Sequence, residues 1–151
     1  MKVYTLRRQQ HLNTTLEHAW DFFSNPNNLD KITPPKMGFR SQPVELPIFA
    51  GQVILHTVRV APLVRLTWLT ELTHVEPGKM FIDEQRIGPY RFWHHRHVFT
   101  ESEKGGVDML DEVHYALPFG PLGGIANAIF VRRELEGVFN FREKVLNEMF
   151  G

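Results

Sequence analysis

The stretch PLGGIANAIFVRRELEGVFNFREKVLNEMF, residues 121–150, decides the fold that this sequence predicts. Its apolar residues recur at intervals of three and four, which is the period of one face of an α-helix. They are Leu122, Ile125, Ile129, Leu135, Val138, Phe141, Val145 and Met149. Gly120 and Pro121 suit the start, because proline is well tolerated at the first helical position. At ~1.5 Å per residue the helix would be about 45 Å long, so its apolar face needs a broad partner surface.

One glycine, Gly137, lies inside this helix, where it costs about 1 kcal/mol relative to alanine. We interpret it as a point where the helix and its partner surface approach closely. The alternative is a tolerated, exposed glycine.

The bulk composition bounds the class of protein. A chain of 151 residues with 42% apolar residues is expected to form one domain, residues 1–151, with a real core. Basic and acidic residues both number 17, so the chain lacks the positive excess typical of nucleic-acid binding. The absence of cysteine excludes disulfides, thiolate nucleophiles and cysteine-based metal sites. We predict no cofactor.

The N-terminal residues MKVYTLRRQQ contain no apolar signal core. Nowhere does the chain hold a run of ~18 apolar residues long enough to span a bilayer. We therefore predict a cytoplasmic protein without integral membrane contact.

The rest of the chain reads as one strand, two short helices and then further strands. Residues 3–12 have strand character, and residues 16–23 and 27–32 favour two short helices. Thr14 and Glu17 have the spacing of a capping box for the first helix. Six more strands are predicted at residues 39–46, 52–60, 64–75, 80–87, 91–101 and 107–117. Because short turns join them, they indicate an antiparallel meander, and the fold class is α+β.

Two motif runs make the sequence resemble a known superfamily. They are Asp83-x-Gln85-x-x-Gly88-Pro89-Tyr90-x-x-Trp93-x-His95-x-His97-x-Phe99 and Asp111-x-Val113-x-Tyr115-x-x-Pro118-Phe119-Gly120-Pro121-Leu122-Gly123. The sequence resembles the SRPBCC group, in the superfamily of START lipid-binding domains, plant pathogenesis-related allergens and polyketide cyclases. The resemblance implies a helix-grip fold, in which a strongly curved antiparallel sheet of about seven strands wraps a long C-terminal helix. It also implies a deep cavity for an apolar small molecule, but no single reaction.

Side-chain alternation predicts which polar residues face that cavity. In strand 91–101 the residues Trp93, His95, His97 and Phe99 share one face, which we expect to be the concave one. The flanking turns suggest cross-strand neighbours for this face. They are Gln85 for Trp93, Asp83 for His95, Asp111 for His97 and Tyr115 for Trp93. The predicted ligand-binding residues are Trp68, Asp83, Gln85, Trp93, His95, His97, Phe99, Asp111 and Tyr115.

Three interpretations of the histidines and aspartates stay open at this point. A buried carboxylate needs a partner, so the pairs can be purely structural and fix the register of three strands. They can also orient a polar group on an apolar ligand. The third interpretation makes His97 and Asp111 a catalytic acid–base pair.

Residues 93–97 are rich in histidine and are therefore candidate metal ligands. His95 and His97, with Asp83 or Asp111, are a donor set that can hold zinc or iron. His94 is expected to point away, so the three histidines cannot act together. Because pairing with carboxylates explains the same histidines, we predict no metal.

Several other residues suit either a structural or a functional role. Trp20, Phe22 and Phe23 suit the core or the rim of a pocket. Arg132 and Arg133 suit a solvated helix face, although an arginine there can reach a ligand carboxylate. The loops 46–51 and 118–124 are expected to flank the cavity mouth. Their apolar residues, Ile48, Phe49 and Phe119, either gate entry or pack together.

Three functions follow, of which we favour the first. It is the binding of a small hydrophobic molecule by a carrier or sensor, without chemistry, because neither a phosphate-binding glycine loop nor a Gly-x-Ser-x-Gly elbow is present. The alternative is a polyketide cyclase/dehydratase-like enzyme that uses the His97–Asp111 pair. The third is an interaction partner of a reductase- or epimerase-like protein, through an exposed apolar rim.

Overall fold

The structure is a computed structural model that describes residues 1–118, 120 and 124–151. The elements are β1 (Tyr4–Leu12), α1 (Leu16–Phe23), 3₁₀ segments Pro26–Ile32 and Pro35–Met37, β2 (Arg40–Ser41), β3 (Val53–Ala61), β4 (Val64–Glu76), β5 (Met80–Ile87), β6 (Phe92–Glu101), β7 (Val107–Ala116) and α2 (Gly124–Phe150). The predicted helix start at Pro121 lies outside the described residues.

The seven strands form one antiparallel sheet in the order β1-β7-β6-β5-β4-β3-β2. Consecutive strands from β2 to β7 are neighbours, as expected when short turns join them. Register shifts interrupt the pairing of β3 with β4 and, twice, that of β4 with β5, and such bulges bend a strand. With the long helix α2 and short helices after β1, the chain has the predicted helix-grip α+β fold.

The register around β6 contains three of the four pairs that the turns predicted; the fourth, Gln85 with Trp93, lies beyond the last pair of β5 and β6, Glu84 with His94. Asp83 lies opposite His95, and His97 lies opposite Asp111. Trp93 lies opposite Tyr115. Residues of β6 alternate between buried and half-buried positions, with Trp93, His95, His97 and Phe99 on the buried face. The face assignment is therefore confirmed.

Helix α2 packs on the sheet through both apolar and polar contacts. Leu135, Phe139 and Leu146 are buried on it. Two polar residues of β1 hold the same helix. Arg8 donates to Asn140 Oδ1 at 2.8 Å, and Gln10 donates to Asn147 Oδ1 at 3.1 Å. The N-terminal strand thereby holds the edge of the sheet against the helix.

The predicted apolar stripe of α2 is wrong at both ends. Ile125, Ile129 and Met149 are exposed, whereas packing of the described helix residues against the core begins at Val131. The buried residues Phe139 and Leu146 were not in the predicted stripe. Gly137 is also exposed, and a Cβ built on it meets no atom within 4 Å. The interpretation of Gly137 as a point of close approach is therefore wrong, and the alternative of a tolerated exposed glycine holds.

The strand predicted at residues 39–46 shrinks to Arg40–Ser41. Pro43 has no N–H to give to a neighbouring strand. Beyond it, the Val44 N–H donates to Asn27 Oδ1 at 3.1 Å, and Asn27 Nδ2 donates to the Val44 carbonyl at 3.2 Å. The side chain of Asn27 thus occupies the backbone N–H and carbonyl of Val44, which pairing with β3 would require.

The cap of α1 is one residue away from its predicted place. Thr15 is the N-cap, and its hydroxyl accepts the His18 N–H at 3.2 Å. Thr14 instead bonds the His18 ring at 2.9 Å. The capping-box spacing therefore located the helix start to within one residue, but named the wrong threonine.

Buried apolar residues form two clusters on the concave side of the sheet. The larger is built around Phe81, Phe99, Met109 and Leu146, and the smaller around Trp93, Tyr115 and Phe139. None of the described helices combines the length and the apolar character that crossing a lipid bilayer would require.

Candidate functional site

A cavity of about 190 Å³ lies between the sheet and α2. Strands β3 to β6 form one wall, α2 forms another, and the chain between α1 and β2 lines the remainder. Its described lining residues are Phe22, Phe23, Asn25, Pro26, Asn28, Leu29, Ile32, Thr33, Met37, Phe39, Ile54, His56, Val58, Trp68, Thr70, Leu72, Phe81, Asp83, Tyr90, Trp93, His95, His97, Leu135, Val138, Phe139 and Arg142.

Five of the nine predicted ligand-binding residues lie on this wall: Trp68, Asp83, Trp93, His95 and His97. The strands position them, because alternate residues of β4, β5 and β6 point to the concave face. Trp68 and Trp93 meet edge to face, with ring centroids 5.3 Å apart.

The other four predicted residues lie away from the cavity wall. The amide of Gln85 brackets the β5–β6 turn, because its Nε2 donates to the Tyr90 carbonyl at 2.6 Å and its Oε1 accepts the Tyr90 N–H at 3.1 Å. Phe99 packs in the larger apolar cluster, beside Trp20. Tyr115 stacks on Tyr4 in the smaller one. For these three residues the structure supports packing or turn formation rather than ligand contact.

The fourth, Asp111, lies behind two histidines that do reach the cavity. His95 Nε2 is 2.8 Å from Asp111 Oδ1, and His97 Nδ1 is 3.2 Å from the same oxygen. On the other side, His97 Nε2 is 2.6 Å and His95 Nδ1 is 3.8 Å from Asp83 Oδ2. We call Asp83, His95, His97 and Asp111 the polar cluster.

The shortest contacts in the polar cluster run diagonally across the strands. Backbone pairing places Asp83 opposite His95, yet Asp83 hydrogen-bonds to His97; Asp111 lies opposite His97, yet its shorter bond is to His95. The two imidazole rings lie nearly over each other, with centroids 3.7 Å apart. Both predicted pairs are therefore parts of one group.

The protonation of the polar cluster follows from burial and from these contacts. Burial by itself disfavours the imidazolium, but the hydrogen bonds to Asp111 and Asp83 raise the pKa of His97 above its ordinary value. Burial, together with the neighbouring His97, lowers the pKa of His95. Although burial opposes ionisation of the carboxyls, the histidines hold the pKa of Asp83 and of Asp111 below the usual range. A proton on the pair of imidazoles is therefore held more strongly by His97 than by His95.

Asp83, His95 and His97 are also the described residues whose donor atoms lie close enough together to hold a metal ion, within 4.8 Å of one another. The cluster is buried: His95, His97 and Asp111 are 5%, 6% and 4% exposed. His94 points to the opposite face, beside His114, as predicted.

One cavity residue that sequence reasoning missed is His56 on β3. It is 9% exposed, it packs between Phe39 and Trp68, and its Nδ1 has no hydrogen-bond partner among the described residues. Burial lowers the pKa of His56 to about 4, although Asp83 acts in the opposite direction. His56 shares one face of the strand with Ile54 and Val58, which also line the cavity. That spacing of two residues could have placed His56 on the cavity wall from the sequence.

A second missed residue is Arg142. Its guanidinium lies 5.1 Å from the centre of the Phe139 ring, and its Nε is buried without a hydrogen-bond partner among the described residues. Arg132 keeps 41% of its side chain exposed, as expected for a solvated helix face, and donates to Glu136 at 2.9 Å and to the Thr5 carbonyl at 2.8 Å. An arginine does reach the cavity from α2, three turns later than predicted.

The loop predicted to flank the cavity mouth does not line it. Ile48 is buried in the larger apolar cluster, while Phe49 is exposed. The 3₁₀ segment Pro26–Ile32 lines the cavity instead, together with Phe22 and Phe23 of α1. Phe119, the other predicted gate, lies outside the described residues.

No protein-family profile matches this sequence, and no curated protein matches it either. Solved structures do match its fold. Protein CV1439 from Chromobacterium violaceum has a TM-score of 0.72 at 15% identity, over 97% of this chain and 96% of that one. The di-domain ARO/CYC StfQ from the steffimycin biosynthetic pathway has a TM-score of 0.76 at 11% identity, over 98% of this chain and 50% of that one.

A third match is Ara h 8.0201, with a TM-score of 0.63 at 12% identity over 97% of this chain and 99% of that one. Likeness at such low identity shows a shared fold and nothing finer. The shared fold is consistent with the SRPBCC/START-like superfamily that the motif runs of the sequence resemble.

Proposed function

We propose that this chain binds a small, mostly apolar molecule in the cavity between the sheet and α2, as a carrier or sensor. The observation that carries the proposal is the make-up of the wall, where Asp83, His95 and His97 form one polar patch among aromatic and aliphatic side chains. Apolar surface supplies affinity in such sites, and a few placed polar groups orient the ligand.

The free space of about 190 Å³ bounds the size of the ligand. Drug-sized ligands occupy pockets of roughly 300–1,000 Å³, whereas an apolar cavity of roughly 150 Å³ accepts benzene. We therefore expect a molecule of one or two rings. A hydroxyl or carbonyl group on it would meet the polar cluster.

Two of the matching structures agree with this proposal at the level of the fold. The name of StfQ describes it as an ARO/CYC of a biosynthetic pathway. Both it and Ara h 8.0201 share the sheet-and-helix arrangement that encloses the cavity here. This likeness concerns the fold alone, and the ligand has to be argued from the wall residues of this chain.

Native mass spectrometry of the purified chain tests the proposal most directly. We expect an added mass that disappears on denaturation and that corresponds to a small compound of one or two rings. A panel of one- and two-ring phenols and ketones can then be titrated in, because Trp68 and Trp93 on the wall report occupancy through their fluorescence. A chain that binds none of these compounds would contradict the proposal.

Two valines of α2 offer a matched pair of variants. Val138 lines the cavity, whereas Val145, two turns later on the same helix, is half-buried against the larger apolar cluster. Val138→Phe places a ring in the cavity and should weaken binding of the panel compounds at least tenfold. Val145→Phe should leave their affinity unchanged. Equal losses in both variants would show that a general disturbance of α2, and not the filled cavity, is responsible.

A second function, acid–base catalysis of the polyketide cyclase/dehydratase type, is favoured by the arrangement of His95. Its Nε2–H donates to Asp111, and this bond orients the ring and leaves Nδ1 without a proton in the neutral state. An oriented neutral imidazole beside a bound substrate can accept a proton.

Glutamine variants of His95 and His97 separate the two functions. A carrier should keep most of its affinity in either variant, whereas an enzyme should still bind and lose roughly 10²–10⁴-fold in turnover. Product formation from a polyketide-like substrate, followed by mass spectrometry, gives the turnover. Unchanged turnover in both variants would exclude the catalytic reading.

A further inference from the structure

The two imidazoles of the polar cluster divide their ring nitrogens between its two carboxylates. One nitrogen of each ring lies near Asp111 Oδ1: His95 Nε2 at 2.8 Å and His97 Nδ1 at 3.2 Å. The remaining nitrogens, His95 Nδ1 and His97 Nε2, lie 3.8 and 2.6 Å from Asp83 Oδ2. Three potential metal-binding atoms from three residues therefore converge on one point.

The spacing of these three atoms suits a transition-metal ion. Zinc binds imidazole nitrogen and carboxylate oxygen at about 2.0–2.2 Å, which places neighbouring ligand atoms of a tetrahedral site roughly 3.3–3.6 Å apart. The observed distances of 2.6 and 3.8 Å lie on either side of this value. Moving Asp83 Oδ2 and the His97 ring apart by less than 1 Å would equalise them.

The contacts of Asp111 are those expected of a residue that supports metal ligands. A metal-bound histidine usually donates its other ring N–H to a carboxylate, which fixes the tautomer and the orientation of the ring. Here one carboxylate serves both histidines, and it lies on the far side of them from the cavity. The lone pairs of His95 Nδ1 and His97 Nε2 then face Asp83.

The charge of the polar cluster also favours a cation. Asp83 and Asp111 have histidines as their ion-pair partners, and no lysine or arginine lies within 4 Å of either in the part of the chain that the structure describes. When the proton on His97 is displaced, the two carboxylates leave the group with two buried negative charges, which need a compensating cation. A divalent ion would balance them.

We propose that His95 Nδ1, His97 Nε2 and Asp83 Oδ2 bind one Zn²⁺ ion, with Asp111 as the carboxylate that orients both histidines. The ion replaces the proton shared by His97 and Asp83. Because all three ligands line the cavity, the remaining coordination position faces the cavity. This site departs from the sequence-based prediction, which assigned no metal because pairing with carboxylates explains the same histidines. The structure adds that donor atoms of Asp83, His95 and His97 converge within 4.8 Å of one another.

The zinc site does not rest on the proposed binding of an organic ligand. It competes with the catalytic alternative, because a metal ion would occupy the Nδ1 lone pair that acid–base catalysis by His95 requires. A chain that binds zinc but no panel compound would support this inference and contradict the proposed function. A chain that binds a panel compound but no zinc would support the proposed function and contradict this inference.

The experiment uses the full chain, freed of metal with EDTA and then dialysed. We expect titration with ZnCl₂ to show one tight equivalent per chain, and titration with CoCl₂ to produce visible absorption bands of a nitrogen- and oxygen-ligated ion. Asp111→Asn should weaken zinc binding by roughly 10–100-fold, the usual effect of losing a supporting carboxylate. Asp83→Asn and His97→Gln, which remove ligands, should weaken it further.

Exposed histidine–carboxylate pairs provide the control. His74 lies 3.1 Å from Glu76 at the surface, and His74→Gln should bind zinc like the unmodified chain. Wild-type protein that takes up no tight equivalent would overturn the proposal without any variant. A tight equivalent that survives both Asp83→Asn and His97→Gln, in variants whose circular dichroism shows a native fold, would also overturn it, because the ion would then be held elsewhere.

Discussion

The two faces of strands β6 and β7 carry similar residues in opposite surroundings. On the concave face His95, His97 and Asp111 are buried. On the convex face Arg96 donates to Glu112 at 3.0 Å, with 37% of the arginine side chain and 17% of the glutamate side chain exposed. Glu112 also lies 3.8 Å from Arg7 and 3.6 Å from His114. Both groups join a nitrogen-bearing side chain of β6 to a carboxylate of β7, and the convex group is the one with more access to water.

Burial changes what such a pair contributes. An exposed ion pair is worth about 0–1 kcal/mol, since water solvates either partner when the other is removed. A buried carboxylate has no such substitute, and breaking a buried pair typically costs about 3–5 kcal/mol. Neighbouring positions of one strand, Asp111 and Glu112, should therefore respond very differently to the same substitution.

The largest predicted effect is that of Asp111→Ala. It leaves the ring N–H groups of His95 and His97 without their acceptor, and we expect the free energy of unfolding to fall by about 3 kcal/mol or more. Urea unfolding in the presence of EDTA measures the change in the metal-free protein. His97→Ala, which unpairs one bond of each aspartate, should cost about 1–3 kcal/mol.

The matched substitution on the convex face is Glu112→Ala. It removes the carboxylate that Arg96, Arg7 and His114 share. Because these partners remain in contact with water, a loss of about 1 kcal/mol is expected. If Asp111→Ala and Glu112→Ala gave equal losses, the polar cluster would have to be accessible to water, and the contrast between the two faces would fail.

A smaller effect concerns pH and the buried His56. Its pKa is about 4 in the folded chain and about 6.5 when unfolded, so the unfolded state binds its proton first. Stability should therefore fall as pH decreases from about 6.5 towards 4, and between pH 7 and 5 His56 should account for about 2 kcal/mol. The His56→Gln variant should lack this share of the pH dependence in urea unfolding. If the free energy of unfolding depended on pH in the same way for the wild type and for His56→Gln, His56 would have to be solvated in the folded chain.

The smallest predicted effect is a gain in stability. Gly137 is exposed within α2, and an added Cβ meets no atom within 4 Å, so Gly137→Ala should stabilise the chain by about 1 kcal/mol. Thermal unfolding should show a midpoint higher by about 2–4 °C. Gly38 is the contrasting glycine: it has φ +51° and lies against Arg65 and Arg59, and Gly38→Ala should destabilise the chain.

Much of the candidate site was predictable because strands impose strict alternation. Once the turn at Gly88–Tyr90 was placed, the period of two put Trp93, His95 and His97 on one face and brought Asp83 opposite His95. The strand prediction for residues 39–46 was wrong because of a contact that side-chain alternation cannot reveal. Asn27, distant in sequence, takes the backbone groups of Val44.

Which residues of the concave face reach the cavity was not predictable. Phe99 and Trp93 lie on the same face of β6, yet the rings of α1 cover Phe99, while Trp93 stays on the cavity wall. His56 and Arg142 join that wall from β3 and α2. Their positions depend on how far the sheet bends and where the helix crosses it.

The sequence by itself determined the order of elements, the register of β5 to β7 and the face that carries the polar cluster, because each depends on local periodicity and short turns. Tertiary structure decided that the aspartates bond diagonally, that Asp111 stands behind the histidines and that Asp83 meets their free nitrogens. These contacts depend on the curvature of the sheet and on side-chain packing. The spacing of residues along a strand does not determine which of two neighbouring side chains lies closer to a given carboxylate.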